Sequence, residues 1–193
     1  MAAPSASEYG TASAAAYTLQ NSGGFTPPTD WTLIETSPTT QQSDGFAAVA
    51  LKDPSGNIII GFEGSVVGLS TYDRGTLAAD LQIMSNQSPA PVLADAAAFA
   101  QQIQTLTGSH SIYVTGHSLG GTDAEAGCKA LGSDCAGGMT FGATGLPENT
   151  AAGNPNLLNE VDWGDPVGNY STDSSSPLGS LIDGNMQHLA QSR

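Results

Sequence analysis

The stretch Val114-Thr115-Gly116-His117-Ser118-Leu119-Gly120-Gly121 carries the pattern Gly-x-Ser-x-Gly between a segment typical of a strand and one typical of a helix. Residues 110–115 are mostly β-branched or aromatic, whereas residues 122–131 are rich in alanine. In that context the pattern forms a sharp strand-to-helix turn that pushes the serine hydroxyl outward, and the two glycines keep side chains off its approach. The sequence therefore predicts that Ser118 is a nucleophile. A glycine turn with an idle serine is the alternative.

Strand and helix signals alternate along the rest of the chain. The turn Asp53-Pro54-Ser55-Gly56 separates two apolar segments, which predicts a hairpin, and the run Ile58-Ile59-Ile60 is typical of a strand covered on both faces. Helices are expected at residues 6–20 and 90–106, and strands at 31–36, 45–51, 57–62, 139–142 and 157–163. This order predicts one α/β domain over residues 1–193, with a mostly parallel sheet flanked by helices and an antiparallel first edge.

The charge of the chain argues against several classes of partner. Eighteen acidic and four basic side chains give a formal net charge of −14 at pH 7. Such a field repels the phosphates of nucleic acids and anionic lipid headgroups, so we expect no nucleic-acid partner. Charged residues make up only 11% of the chain, against about 25% in typical soluble domains, and this lysine-poor composition favours a secreted protein.

Targeting and membrane segments are not expected in this sequence. Residues 1–8 have neither the basic nor the apolar region of a signal peptide. No apolar run approaches the roughly 18 residues that a membrane helix requires. Contact with a lipid interface is expected to be transient at most.

Cys128 and Cys135 are the two cysteines of the chain, separated by six residues around Gly132. The chain can double back over so short a distance, so a disulfide is predicted, clamping the end of the helix that follows Ser118. Two reduced, half-buried thiols are the alternative.

A nucleophilic serine needs a base within hydrogen-bond distance. Of the three histidines, His117 lies inside the Gly-x-Ser-x-Gly pattern, where its side chain points away from the nucleophile, and His110 opens the strand that leads to it. His188 remains as the candidate base by elimination. An exposed histidine near the end of the chain is the alternative.

The base in turn needs a carboxylate that orients it, expected in a loop after a late strand. Residues 161–167 offer Asp162 at the predicted strand end and Asp165 in the loop beyond it, and position favours Asp165. Asp173 and Asp183 stay open as alternatives. The chain order of serine, acid and histidine is that of α/β-hydrolases.

Several of these segments together resemble the class 3 (fungal-type) triacylglycerol lipase family of α/β-hydrolases. Residues 114–121 match the nucleophile segment of that family nearly residue for residue, and Thr140-Phe141-Gly142 resembles the strand end that follows it. Residues 161–167 resemble its acid loop, and His188-Leu189 fits its terminal histidine. The resemblance covers residues 46–190, with the matching segments in the same order.

The resemblance also implies an oxyanion hole. Gly61-Phe62-Glu63-Gly64-Ser65 resembles the aromatic-Arg-Gly-Thr/Ser segment that supplies it, so Ser65 corresponds to the polar donor, together with the backbone N–H of Leu119. Glu63 stands where the family has a basic residue, and the chain is shorter than typical members. Residues 69–91 are the segment placed to act as a lid.

As a whole, the resemblance implies a serine carboxylester hydrolase that acts on lipid or other hydrophobic esters. Ser118 would attack the carbonyl, His188 would transfer the proton and Asp165 would hold the imidazolium. No metal or organic cofactor is expected. The same triad would serve an acyltransferase or a polymer esterase, because the fold does not fix the acceptor. A non-catalytic binding or effector module is a further alternative, which Glu63 favours.

Overall fold

In the computed structural model of the protein, the described residues are 2–19, 25–38, 45–65, 91–143, 145–146, 156–161 and 187–190, with the side chains of 161 and 187–190 excepted. Within these ranges the helices are α1 (Ala6–Ala16), α2 (Pro91–Thr107) and α3 (Leu119–Leu131), and a 3₁₀ turn follows at Gly132–Asp134. The strands are β1 (Thr32–Thr36), β2 (Ala48–Lys52), β3 (Ile58–Phe62), β4 (Ile112–His117), β5 (Cys135–Phe141), β6 (Leu157–Val161) and β7 (Gln187–Ala190).

The seven strands form one mixed sheet in the order β1-β2-β3-β4-β5-β6-β7. β1, β2 and β3 pair antiparallel, and every pair from β3 to β7 is parallel. The hairpin between β2 and β3 is closed by the Asp53 carboxylate, which accepts hydrogen bonds from the backbone N–H and the side-chain amide of Asn57, both at 2.8 Å. The predicted α/β-hydrolase-like sheet with an antiparallel first edge is confirmed. Strand β7 was not predicted.

Helices cover the sheet on opposite faces. Alternate side chains of β2 belong to opposite layers. Ala48 and Ala50 join the core under α2 and α3. Val49 and Leu51 join the core under α1. This period of two places a hydrophobic layer on each face. The prediction of a strand covered on both sides at residues 58–60 is therefore confirmed, since Ile60 and Ile59 belong to the two different layers.

None of the helices in the described ranges is long and apolar enough to cross a lipid bilayer.

The predicted disulfide is present between Cys128 and Cys135, whose Cα atoms lie 5.2 Å apart. Both residues are buried, one near the end of α3 and the other at the first position of β5. The bond therefore ties the helix that follows Ser118 to the next strand of the sheet.

We expect loss of this disulfide to lower the free energy of unfolding by about 2–3 kcal/mol, because the unfolded chain regains the freedom of a short closed loop. For a chain of this size that corresponds to a drop in melting temperature of roughly 5–10 °C. The measurement is thermal unfolding of the double variant Cys128→Ser/Cys135→Ser against the parent chain. Two free thiols per chain in denatured, unreduced protein would contradict the bond.

Candidate active site

Ser118 lies at the turn between the end of β4 and the start of α3, half-buried. Its backbone has φ 54° and ψ −124°. Among the described non-glycine residues, Asp30 is the only other one with a positive φ. A serine in this region costs about 1–3 kcal/mol and persists only where the surrounding structure enforces it. The strained strand-to-helix turn is the backbone that the Gly-x-Ser-x-Gly pattern predicts.

Two glycines allow this turn to close. A Cβ on Gly116 would collide with the carbonyl group of Gly120, and a Cβ on Gly120 would collide with the Phe62 carbonyl oxygen. Side chains at either position would push the helix away from the strands, so only glycine fits. This packing explains why both positions are glycine; that they also keep the approach to Ser118 clear stays a prediction.

The end of β3 lies directly beside the turn. Phe62 pairs in register with Gly116, and the backbone N–H of Glu63 donates to the Ala47 carbonyl at 2.9 Å. Glu63 is only 1% exposed, so its backbone is fixed between the hairpin and α3. The short segment that continues to Ser65 therefore starts at the same edge of the sheet as Ser118. Ser65 is half-buried.

The end of β5 supports the turn from the other side. The Ser118 N–H donates to the Phe141 carbonyl at 2.9 Å. Beyond β5, the buried side chain of Asn159 in β6 holds the backbone of Ala143, donating to its carbonyl at 2.9 Å and accepting from its N–H at 3.1 Å. The turn is thus held between the carboxyl ends of two neighbouring parallel strands, the position where open α/β sheets carry their sites.

A second polar anchor lies in α3 itself. Glu125 is buried, and its carboxylate accepts a hydrogen bond from the Leu146 N–H at 2.9 Å. Neither Glu125 nor Asn159 was predicted to have a role. Buried polar groups are hydrogen-bonded, but both segments contain other polar residues, so no local signal distinguishes these two.

The structure separates His110 from Ser118. His110 is 82% exposed in its side chain and lies 2.8 Å from the Asp134 carboxylate, before the start of β4. Ser118 follows the opposite end of that strand, roughly 20–25 Å away at the rise of an extended chain. This distance agrees with the exclusion of His110 as the base.

His117 is exposed and sits on the side of the sheet covered by α1. Its Nδ1 atom lies 3.0 Å from the hydroxyl of Tyr17, the residue that caps the end of α1. The two rings are tilted at 52°, with centroids 6.3 Å apart. Tyr17 was not among the predicted site residues, and it is 100 positions away from His117 along the chain.

The described residues do not test the assembly of the predicted triad, because they include the backbone of His188 and none of the candidate acids. His188 belongs to β7, where its backbone pairs with Asn159, which in turn aligns with Thr140 and Gly116 across the sheet. Three strand spacings put the His188 Cα about 14 Å from that of Gly116, which lies two residues before Ser118. Outside the described residues lie the candidate acids Asp162, Asp165, Asp173 and Asp183 and residues 69–90 of the predicted lid.

A shallow cleft opens between α1 and the sheet next to His117. It has a volume of about 320 Å³ and is lined by Gly10, Ser13, Ala14, Tyr17, His117 and Phe141. Its walls are predominantly apolar, so it suits a hydrocarbon group better than a charged one. In the ranges that the structure describes, no three His, Cys, Asp or Glu side chains are grouped as a metal site requires.

We expect Gly120→Ala to destabilise the fold by about 1–3 kcal/mol, because the added methyl must displace the backbone at Phe62 and Glu63. Gly10→Ala is the matched control. Gly10 lies inside α1, nothing lies within 4 Å of an added Cβ there, and the change should stabilise the helix by up to about 1 kcal/mol. Urea unfolding of both variants measures the difference, and equal effects would contradict the contact.

Comparison with known proteins gives a structural likeness and no family. No family model matches the chain, and no curated protein matches it in sequence. Among solved structures, the chain is similar to a fungal lipase in an inhibitor complex described as a model for interfacial activation in lipases. The two share 20% identity and a TM-score of 0.46, over 72% of this chain and 60% of the lipase. A likeness of this size does not assign a family.

Proposed function

We propose that the protein is a serine carboxylester hydrolase that cleaves hydrophobic esters through an acyl-enzyme on Ser118. The observation that carries this proposal is the backbone of Ser118, a non-glycine residue with φ 54° held between a parallel strand and a helix N-terminus. Such strain costs stability, and it serves to present a side chain at a turn. If the turn had only a structural role, glycine would adopt this positive φ at a lower free-energy cost than serine.

Oxyanion stabilisation would come from both sides of the turn. Leu119 is the first residue of α3, and the first N–H groups of a helix have no carbonyl partner within it. Its N–H is therefore a candidate donor to the negative charge that develops on an ester carbonyl oxygen. Ser65 is the proposed second donor, supported by the register of Phe62 beside Gly116. A single such donor typically contributes on the order of 3 kcal/mol to transition-state binding.

For the proton transfer we propose His188 as the base and Asp165 as its orienting carboxylate. His188 would accept the Ser118 proton and pass it to the leaving alcohol, after which water would be activated in the same way to release the acid. The pairing of β7 with β6 keeps the His188 backbone three strands from the turn. The engagement of the His188 side chain with Ser118 stays a prediction, and the variants described below test it.

The surroundings of the turn and the charge of the chain support the substrate class that we propose. The apolar cleft beside His117 suits the hydrocarbon part of an ester, and the net charge of −14 disfavours anionic substrates. We propose lipid or other hydrophobic esters, handled by a single domain. A disulfide in a lysine-poor chain supports secretion, because disulfides persist in oxidising compartments.

Ser118→Ala should abolish both hydrolysis of p-nitrophenyl esters and covalent labelling by a fluorophosphonate, since the attacking atom is removed. The melting temperature should stay the same or rise, because alanine removes no contact that the fold needs. Mass spectrometry of the labelled parent chain should locate the adduct on Ser118. An unlabelled parent chain that hydrolyses no ester from acetate to palmitate would favour a binding module.

His188→Ala should be as damaging as Ser118→Ala, because triad members act as a unit. Asp165→Asn should lower kcat by several orders of magnitude, and Asp162→Asn should have much less effect. His110→Ala is the control, since His110 pairs with Asp134 far from the turn. An inactive His110→Ala beside an active His188→Ala would show that the base is wrongly assigned, and the reverse ranking of the two aspartates would move the acid to Asp162.

A further inference from the structure

Helix α1 brings a hydroxyl group to the turn at residues 116–120, which carries the proposed nucleophile Ser118 and is called the nucleophile turn below. It does so from the face of the sheet opposite to α3. The helix starts at a capping box, in which the Ser5 hydroxyl accepts from the Glu8 N–H and the Glu8 carboxylate accepts from the Ser5 N–H. Ala12 and Ala16 are fully buried against the strands. Both ends of the helix are thereby fixed, and Tyr17, the residue at its carboxyl end, points its ring at the edge of the sheet that carries Ser118.

The Tyr17 hydroxyl touches both segments that flank the proposed oxyanion hole. On the nucleophile side it lies 3.0 Å from Nδ1 of His117. On the other side, a Cβ built on Gly64 would collide with this same hydroxyl and with the carbonyl oxygen of His117. The backbone of Gly64 is therefore packed into the corner formed by Tyr17 and His117, one residue before Ser65.

We propose that the Tyr17 hydroxyl is a positioning group that holds the Gly64–Ser65 segment against the nucleophile turn. This proposal rests on the hydrolase function proposed above, because its purpose is to set the distance between the two oxyanion donors. Donors of this kind act only when they are held within about 0.5 Å of the productive geometry. A single hydroxyl that contacts both segments is suited to fixing that distance.

The ring and the hydroxyl of Tyr17 have separable roles. The ring lines the cleft and packs on the His117 ring, and phenylalanine would preserve both contacts. The hydroxyl is the atom of Tyr17 that lies nearest to the corner at Gly64. Tyr17→Phe therefore removes the positioning contact and leaves α1 seated on the sheet.

The decisive comparison is Tyr17→Phe against Tyr9→Phe. Tyr9 lies on the same helix, is 6% exposed and packs edge-on against Tyr113, away from the nucleophile turn. Burial raises the pKa of the Tyr9 hydroxyl above its ordinary value, so the group that Tyr9→Phe removes is neutral. Tyr9→Phe thus removes a matched hydroxyl from the same helix without touching the site.

We expect Tyr17→Phe to lower kcat by about 10-fold with KM changed by less than about twofold, because the lost contact affects the donors of the transition state. Amide hydrogen exchange at Gly64 and Ser65 should become several-fold faster, and the Nδ1 resonance of His117 should shift in ¹⁵N NMR spectra. The Nδ1 resonance of His110, which Asp134 holds at 2.8 Å, should stay in place. Tyr9→Phe should leave all of these unchanged.

Unchanged kcat and unchanged exchange at Gly64 and Ser65 in Tyr17→Phe would overturn the positioning role. So would equal effects of Tyr17→Phe and Tyr9→Phe, because these would reflect a general loosening of α1. The proposed function fails separately, when the parent chain neither hydrolyses esters nor takes up a phosphonate. Faster exchange at Gly64 in Tyr17→Phe would still support the contact in that case, since exchange does not depend on turnover.

Discussion

The contact between the Phe62 carbonyl and the first turn of α3 at Gly120 is the constraint on which the site depends. It brings the helix so close to the end of β3 that the chain must turn sharply after β4, and Ser118 takes up that turn with a positive φ. The strain is held in place from three directions, by the end of β3, by the Phe141 carbonyl that accepts the Ser118 N–H, and by the packing of α3. Strain confined in this way is a common cost of presenting a reactive group.

Much of this arrangement could be predicted from local sequence patterns. The hairpin around residues 53–57, the helix after the turn and the disulfide all depend on residues that are close together in the chain, so spacing and residue type were sufficient. The strained serine was predictable because Gly116 and Gly120 flank it in a strand-to-helix context. Local signals of this kind also gave the mixed sheet, since alternating strands and helices imply parallel neighbours.

The missed features depend on contacts between distant parts of the chain. Strand β7 has a weak intrinsic preference for extended structure, and its formation depends on pairing with β6. Asn159 and Glu125 are ordinary polar residues in sequence. Their anchoring roles exist only because the folded chain places the backbone N–H groups of Ala143 and Leu146 within hydrogen-bond distance of these two side chains. Tyr17 belongs to the same class, since nothing near it in sequence indicates a partner 100 residues away.

The topology explains why that partner comes from the start of the chain. Strands β3, β4 and β5 follow one another in order across the sheet, and right-handed crossovers in a constant direction put α2 and α3 on one face. The opposite face at β3 and β4 must then be covered by a segment outside these crossovers, because parallel strands are buried on both sides. Helix α1 meets this requirement with small residues such as Ala12 and Ala16, which let it lie close to the sheet. A helix seated there for the stability of the core ends beside His117, where the hydroxyl of its terminal tyrosine lies next to both His117 and Gly64.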